Sequence, residues 1–298
     1  MSVNADPSVK DCFNRPMAES DLLWLEQESS VTEMRELIER YAREGLPVMN
    51  GSLRYSNFNE GPDHVFTLNP YRQWEYASLL QRLPELGDRI RFLDVGGAGA
   101  ALAYVLAERG HQGVAVDLNA ELVATCADVG VKRKLRLEAK ACDAAKDLSV
   151  AGEGFDLVTL VSVLEHIPEQ EWPMVFANCA RVMRRGGWLY LTFDYGDYHT
   201  EKPFGTSVKD ITPVLAAVKA AGLQCRGNDP GRLPTEWLGL KSAPGHGEFG
   251  RQIYLHIGRV PSLAKRLKRQ VKRVVAPLLQ PPTRFAKHNF FRMLLEKA

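Results

Sequence analysis

The chain has 298 residues, 45% apolar and 25% charged, an ordinary globular composition that excludes wholesale disorder, collagen-like repeats and a disulfide-dense miniprotein. Five scattered cysteines, Cys12, Cys126, Cys142, Cys179 and Cys225, form no C-x-x-C pair, so reduced thiols in a cytoplasmic protein are expected and a zinc cluster is not. The net charge of +2 conceals a split, because from Arg259 onward eleven Lys or Arg face the single acid Glu296, leaving 27 basic and 35 acidic residues before them.

In chain order, the first sixteen residues contain no apolar h-region, and no later run approaches eighteen apolar residues. Neither a cleaved signal nor a spanning helix is expected. Val31 to Glu44 carries Met34, Leu37, Ile38 and Tyr41 at helical spacing and is stopped by Gly45 and Pro47. A second helix is predicted from the Asn69-Pro70 cap through Gln81 or Leu83. From Arg91 the rhythm changes to strand then helix. Strands are predicted at Arg91–Val95, Gly113–Val116, Leu135–Ala141, Phe155–Val161, Trp188–Phe193, Gly222–Arg226 and Arg251–Ile257, with helices at 100–109, 119–128, 170–184 and 208–221. Such alternation makes a mostly parallel sheet covered on both faces, with ligands at the carboxyl ends of its strands.

The turn after the first of these strands, Asp94-Val-Gly-Gly-Ala-Gly-Ala100, is built from small residues that allow close backbone approach. Asp117 closes the next strand, where a carboxylate can hold both hydroxyls of a ribose, or simply cap the helix after it. A dinucleotide reading fails at Leu102, which stands where the G-x-G-x-x-G spacing needs a third glycine, and at Asp94, which would repel a pyrophosphate.

A cationic cofactor removes that objection, and at this point the chain resembles the class I SAM-dependent methyltransferases from about Ile90 to Ile257. The resemblance rests on the Asp94 loop, on Asp117, on Ala141-Cys-Asp-Ala144, on Phe155 to Ile167 and on Arg181 to Tyr190. Two of the three family glycines are here Ala98 and Ala100. The resemblance implies a Rossmann-like seven-stranded mostly parallel sheet and S-adenosylmethionine (SAM) as cofactor. It assigns the cofactor contacts to Asp94, Gly96, Gly97, Ala98, Gly99, Asp117, Leu118, Asp143, Ala144 and Val161, with Asp143 at the adenine. Gly186-Gly187 reads as a helix stop.

The acceptor side is expected on the rim after Val161. His166 is a candidate base with Glu165 and Asp194 as further catalytic candidates, although His166 can equally be a packing residue. Ubiquinone-type O-methyltransferases resemble this stretch but hold a divalent ion with a Glu three residues before the Glu-His pair; that position is Ser162 here, so no metal is predicted. Arg54 to Glu60, Tyr71 to Tyr76 and Asp194 to His199 mix aromatics with amides and charges, which suits sugar rings or ordinary lid packing. The helix of residues 71–76 resembles one in methyltransferases of bacterial surface-glycan assembly.

In the tail, Leu263, Leu267, Val271, Val274 and Leu278 form one apolar stripe opposite a basic face, the pattern of a helix lying on anionic membrane. A helix docked on the acidic body or on another subunit, and a nucleic-acid partner, are the alternatives, with nucleic acid not expected. A second, more apolar segment runs from Phe285 to Leu295. Three units follow: 1–85 as an N-terminal helical cap holding the acceptor, 86–258 as the methyltransferase core, and 259–298 as basic amphipathic C-terminal helices, with the cofactor site complete by Ile257. The expected function is transfer of methyl to a hydroxyl of a lipid-linked or surface glycan, in the cytoplasm or peripherally on the inner membrane face. A lipid or quinone acceptor, or a non-catalytic SAM-binding scaffold, are the alternatives, and an oligomer is compatible with either.

Overall fold

The structure is a computed structural model and describes residues 12–48, 66–68, 70–196, 208–233, 255–257 and 288–298. The chain begins with β1 (Arg15–Pro16), then the helices α1 (Glu19–Leu25) and α2 (Ser29–Arg43). In α2 the side chain of Glu28 accepts from the Ser30 amide, and Val31, Met34, Leu37, Ile38 and Tyr41 are buried on one face. Gly45 follows in the left-handed region, φ 69°, which ends the helix. After β2 (Phe66–Leu68), α3 (Pro70–Arg82) starts on its proline.

The alternating region then runs β3 (Arg91–Val95), α4 (Ala101–Glu108), β4 (Gln112–Asp117), α5 (Ala120–Arg133), β5 (Leu137–Ala141), β6 (Phe155–Val161), α6 (Trp172–Val182), β7 (Met183–Gly196), α7 (Thr212–Ala220) and β8 (Leu223–Cys225), followed by β9 (Leu255–Ile257) and β10 (His288–Lys297). The central sheet has eight strands in the order β1, β10, β7, β6, β3, β4, β5, with β8 also pairing with β10. The five from β7 to β5 are parallel, and β10 is antiparallel to its neighbours. Period-two alternation divides the core: Phe92, Leu157 and Tyr190 pack with the α2–α5 side, Leu93, Val158 and Leu189 with α6 and α7.

Four expectations are corrected. The sheet has eight strands, not seven. The segment expected as the apolar end of a helical tail is β10, whose Phe291, Met293, Leu294 and Leu295 are fully buried; it pairs with β7 from His288 opposite Gly196 to Glu296 opposite Trp188. Leu255–Ile257, expected beside the main sheet, pairs instead with β2 in a separate two-stranded sheet. The physical reason is length and burial, since the ten-residue β10 buries Phe290, Phe291, Met293, Leu294 and Leu295 next to β7, whereas β9 has three residues. The Gly186-Gly187 pair also lies inside β7, four residues past the end of α6, at a shift in register with β6. The striped segment 263–278 lies outside the described residues.

The first and the last of the described segments are stitched into this sheet. Asn14 donates through Nδ2 to the carbonyls of Arg226 and Asn228, and its Oδ1 accepts from the Leu294 amide at 2.7 Å. Arg292, buried against the rings of Phe13 and Trp74, donates to the Phe13 carbonyl. The positively charged form of Arg292 is costly there, so burial lowers its pKa to about 10 despite the nearby Asp21.

Candidate active site

The carboxyl ends of β3, β4 and β6 converge on the glycine turn. Asp94 and Thr159 are partners across β3 and β6, and Thr159 Oγ1 donates to Asp94 Oδ1 at 2.6 Å. The other oxygen, Oδ2, is buried and has no hydrogen-bond partner. Burial is the main cause that raises the Asp94 pKa to about 7; the Thr159 bond opposes it and the charge of Asp117 adds to it.

The turn shows why it needs glycine only at certain positions. A side-chain carbon on Gly97 would lie 2.1 Å from Asp94 Oδ2, and one on Gly96, at φ 70°, would lie 2.7 Å from Val163 Cγ2. Gly99 is also left-handed, at φ 84°. Ala98 and Ala100, which replace family glycines, adopt no positive φ and are buried, so their methyl groups are accommodated.

Asp117 is half-buried at the end of β4. Its Oδ1 accepts from the Asn119 amide at 2.9 Å. Burial raises its pKa, while hydrogen bonds from the amides of Asn119, Ala98 and Leu118 act the other way. The carboxylate is thus tied to the glycine turn as well as to its own helix. The side chain of the next residue, Leu118, is 74% exposed. The Asp117 carbonyl accepts from the Cys142 amide at 3.0 Å, which draws the Cys142–Ala144 loop beside β4. There Asp143 Oδ1 accepts from the Ala145 amide, and Ala144 is buried with its carbonyl bonded to Asn178. The expected cofactor residues therefore lie on three neighbouring strand ends, with Val161 on the fourth.

A second cluster adjoins the first. Ser162, directly after β6, adopts φ 52°, an uncommon conformation for a non-glycine residue. Val163 follows against Gly96, and a short 3-10 turn over Leu164–His166 buries Glu165 while leaving His166 exposed. The Asp194 amide donates to Glu165 Oε1 at 3.4 Å. Burial, then the Asp194 charge, raises the Glu165 pKa well above the carboxylate range. For His166 the surrounding protein lowers the pKa, Asp194 raises it and Arg72 lowers it. The three expected catalytic residues are thus brought together.

Sequence reasoning missed what lies beneath them. Glu75 of α3 is buried and pairs with Arg72 at 2.8 Å. Its Oε1 accepts from Ser162 Oγ and from Thr192 Oγ1, each at 2.6 Å. Burial raises the Glu75 pKa against the pull of Arg72 and both hydroxyls. Burial lowers the Arg72 pKa, but Glu75, Tyr76, Glu165 and Asp194 together hold it above its ordinary value. The available signal was an i,i+3 Arg-Glu pair set among Tyr71, Gln73, Trp74 and Tyr76, where a helix face otherwise reads as core. Of the aromatic faces expected to meet an acceptor, Trp74 and Tyr76 are buried, while Tyr71 is half-buried and stacks on Phe290. Tyr195 is buried too, and the segments 54–60 and 197–199 lie outside the described residues. Among the described residues, no cluster of three or more His, Cys, Asp or Glu is arranged to hold a metal ion.

Comparison with known proteins places this geometry. Residues 93–191 match a family model described as a methyltransferase domain. The ubiquinone biosynthesis O-methyltransferase of Xanthomonas oryzae pv. oryzae is 34% identical over 135 residues, covering 45% of this chain and 53% of that protein. The protein of the same name from Parvibaculum lavamentivorans is 31% identical over 103 residues, covering 34% and 39%. The chain spans about half the length of the first of these relatives. In fold, it resembles a solved structure from Galdieria sulphuraria, named as a candidate sarcosine dimethylglycine methyltransferase, with TM-score 0.51 and 15% identity over 87% of this chain and 98% of that one. Residues 93–191 of the chain therefore carry a methyltransferase domain.

Proposed function

We propose that the protein transfers a methyl group from SAM to a hydroxyl of a phenolic, quinone-type small molecule. The observation that supports it most is the meeting of the two clusters through Val163, which packs on Gly96 of the cofactor turn three residues before His166. The buried, unpartnered Asp94 Oδ2 fits a cationic cofactor and would repel an anionic one. Asp94, Gly96, Gly97, Ala98 and Gly99 would cradle the amino-acid end, Asp117 the ribose, and Leu118, Asp143, Ala144 and Val161 the remainder. Bound SAM supplies an electrophilic methyl on its sulfonium.

The residues of the chain then have the proton to manage. A hydroxyl acceptor must lose its proton, and positioning supplies much of the acceleration. His166 has a pKa below its ordinary value of about 6.5, so its ring is neutral at pH 7 and can accept that proton. Asp194, whose charge favours the protonated ring, stabilises the imidazolium that results. Glu165 lies buried beside Asp194, and burial together with the Asp194 charge favours its protonated form.

A quinone-type acceptor is preferred to the expected glycan for two reasons. The similar proteins are named for ubiquinone biosynthesis, and the aromatic residues that would have stacked on sugar, Trp74, Tyr76 and Tyr195, are buried. The basic, striped segment 263–278 is part of the same reading, because an anionic membrane surface is where a lipid-soluble acceptor is met. Among the described residues no helix is long and apolar enough to cross a membrane. Incubation of the full chain with methyl-labelled SAM and, in parallel, a prenylated phenol, an oligosaccharide and RNA tests the reading. Label in the phenol supports it; label confined to the oligosaccharide or RNA, or SAM bound with no transfer to any of them, overturns it.

A further inference from the structure

We propose that Glu75 is a positioning residue: from a helix outside the matched domain, it fixes the Ser162–Val163 turn and thereby the placement of His166 beside the glycine turn. The inference rests on the reading of His166 as the acceptor-side base. Three observations carry it. Ser162 holds a left-handed backbone conformation that a serine persists in only where its surroundings dictate it. Those surroundings are Glu75 Oε1, which accepts from its hydroxyl at 2.6 Å, and Thr192, whose carbonyl and Oγ1 both receive the Ser162 amide, at 3.0 and 3.2 Å. The same Oε1 holds Thr192 Oγ1 at 2.6 Å, so one carboxylate oxygen clamps the residue that follows β6 to Thr192 within β7.

The consequence passes along the backbone. Val163 fills the space over Gly96, and its carbonyl accepts from the His166 amide at 3.0 Å. A turn fixed at Ser162 is therefore fixed against the cofactor side and the acceptor side at once. Glu75 is in turn held by Arg72 at 2.8 Å, and Tyr190 OH donates to the Glu75 carbonyl at 2.6 Å. A buried charged pair stabilises a fold no better than apolar side chains of the same volume; what these partners add is direction.

The groups that act on the His166 ring are Asp194 of β7 and Arg72 of α3, with Glu165 adjacent in its own turn and Glu75 acting on Arg72. The test is the pH titration of the His166 imidazole by NMR in the full chain with labelled histidine, assigned by a His166→Gln variant. Ser162→Ala leaves every charge in place, and Glu75→Gln keeps the shape of the side chain. Releasing the turn changes where the ring sits against Asp194, Arg72 and the surrounding protein, so both variants should shift the His166 pKa by about 0.3 pH or more. The double variant should show no more than the larger single shift, because both act through one contact. A His166 titration unchanged in folded Ser162→Ala overturns the proposal and leaves Glu75 a structural residue; this variant decides alone if Glu75→Gln fails to fold. The measurement needs no acceptor, so its failure is separate from failure of methyl transfer.

Discussion

A carbon added at Gly97 would lie 2.1 Å from Oδ2 of Asp94. The carboxylate that fits a cationic cofactor thus occupies the space that an ordinary residue of the turn would use, and Thr159 holds its other oxygen at 2.6 Å. Gly97→Ala must displace this buried side chain. A loss of one charge-assisted contact of about 1.5 to 3 kcal/mol predicts SAM affinity weakened about tenfold or more, with a lowered melting temperature. Calorimetry on the folded variant checks it.

The raised pKa of Asp94, about 7, makes stability and binding respond to pH in opposite directions. Between its unfolded value near 4 and about 7 the folded chain holds a proton that the unfolded chain has released. This group's contribution to stability is complete below that window and declines as pH rises through it. A cationic cofactor instead favours the ionised form, so SAM affinity should rise from pH 6 to pH 8 with proton release. Asp94→Asn should flatten both trends. Titrations in buffers of different ionisation enthalpy measure the released proton.

His166→Ala should lower turnover by about 10² to 10⁴ while leaving SAM affinity within about twofold, because a base acts on the acceptor and not on the cofactor. Single-turnover rates beside calorimetry separate the two. An effect under about threefold would make His166 a packing residue.

The strand rhythm from Arg91 to Arg226 was legible because each strand alternates or is wholly apolar and ends at a turn residue; β3 and β6 were read to the residue. The placement of Asp94 and Asp117 at neighbouring strand ends was legible because each stands where an apolar run gives way to a turn. His288–Lys297 was not, since Phe-Phe-Arg-Met-Leu-Leu fits a helix face as well as a buried strand, and only pairing with β7, about a hundred residues earlier, decides it. Glu75 was missed for a related reason. A carboxylate inside a helix reads as solvated, and the partners that bury it, Ser162 and Thr192, lie 87 and 117 residues away.

Deleting residues 261–298, expected from sequence to spare the cofactor site, should instead prevent folding. It removes β10 from between β7 and β8. Within β10, Phe291 stacks on Phe193 with ring centroids 5.4 Å apart, and Phe291→Ala should cost about 3 to 5 kcal/mol. Replacing Lys265, Arg266, Lys268 and Arg269 by Gln should leave the fold intact and reduce flotation with anionic vesicles at low salt, each charge contributing about 1 kcal/mol at such a surface. Chemical denaturation and flotation check the two halves.

Titration of SAM into the full-length protein and into Asp94→Ala and Asp117→Ala tests the central claim most directly. Saturable binding to the wild type, weakened about tenfold or more in each folded variant, is the predicted result. Equal SAM affinity in all three, or none in the wild type, would contradict it.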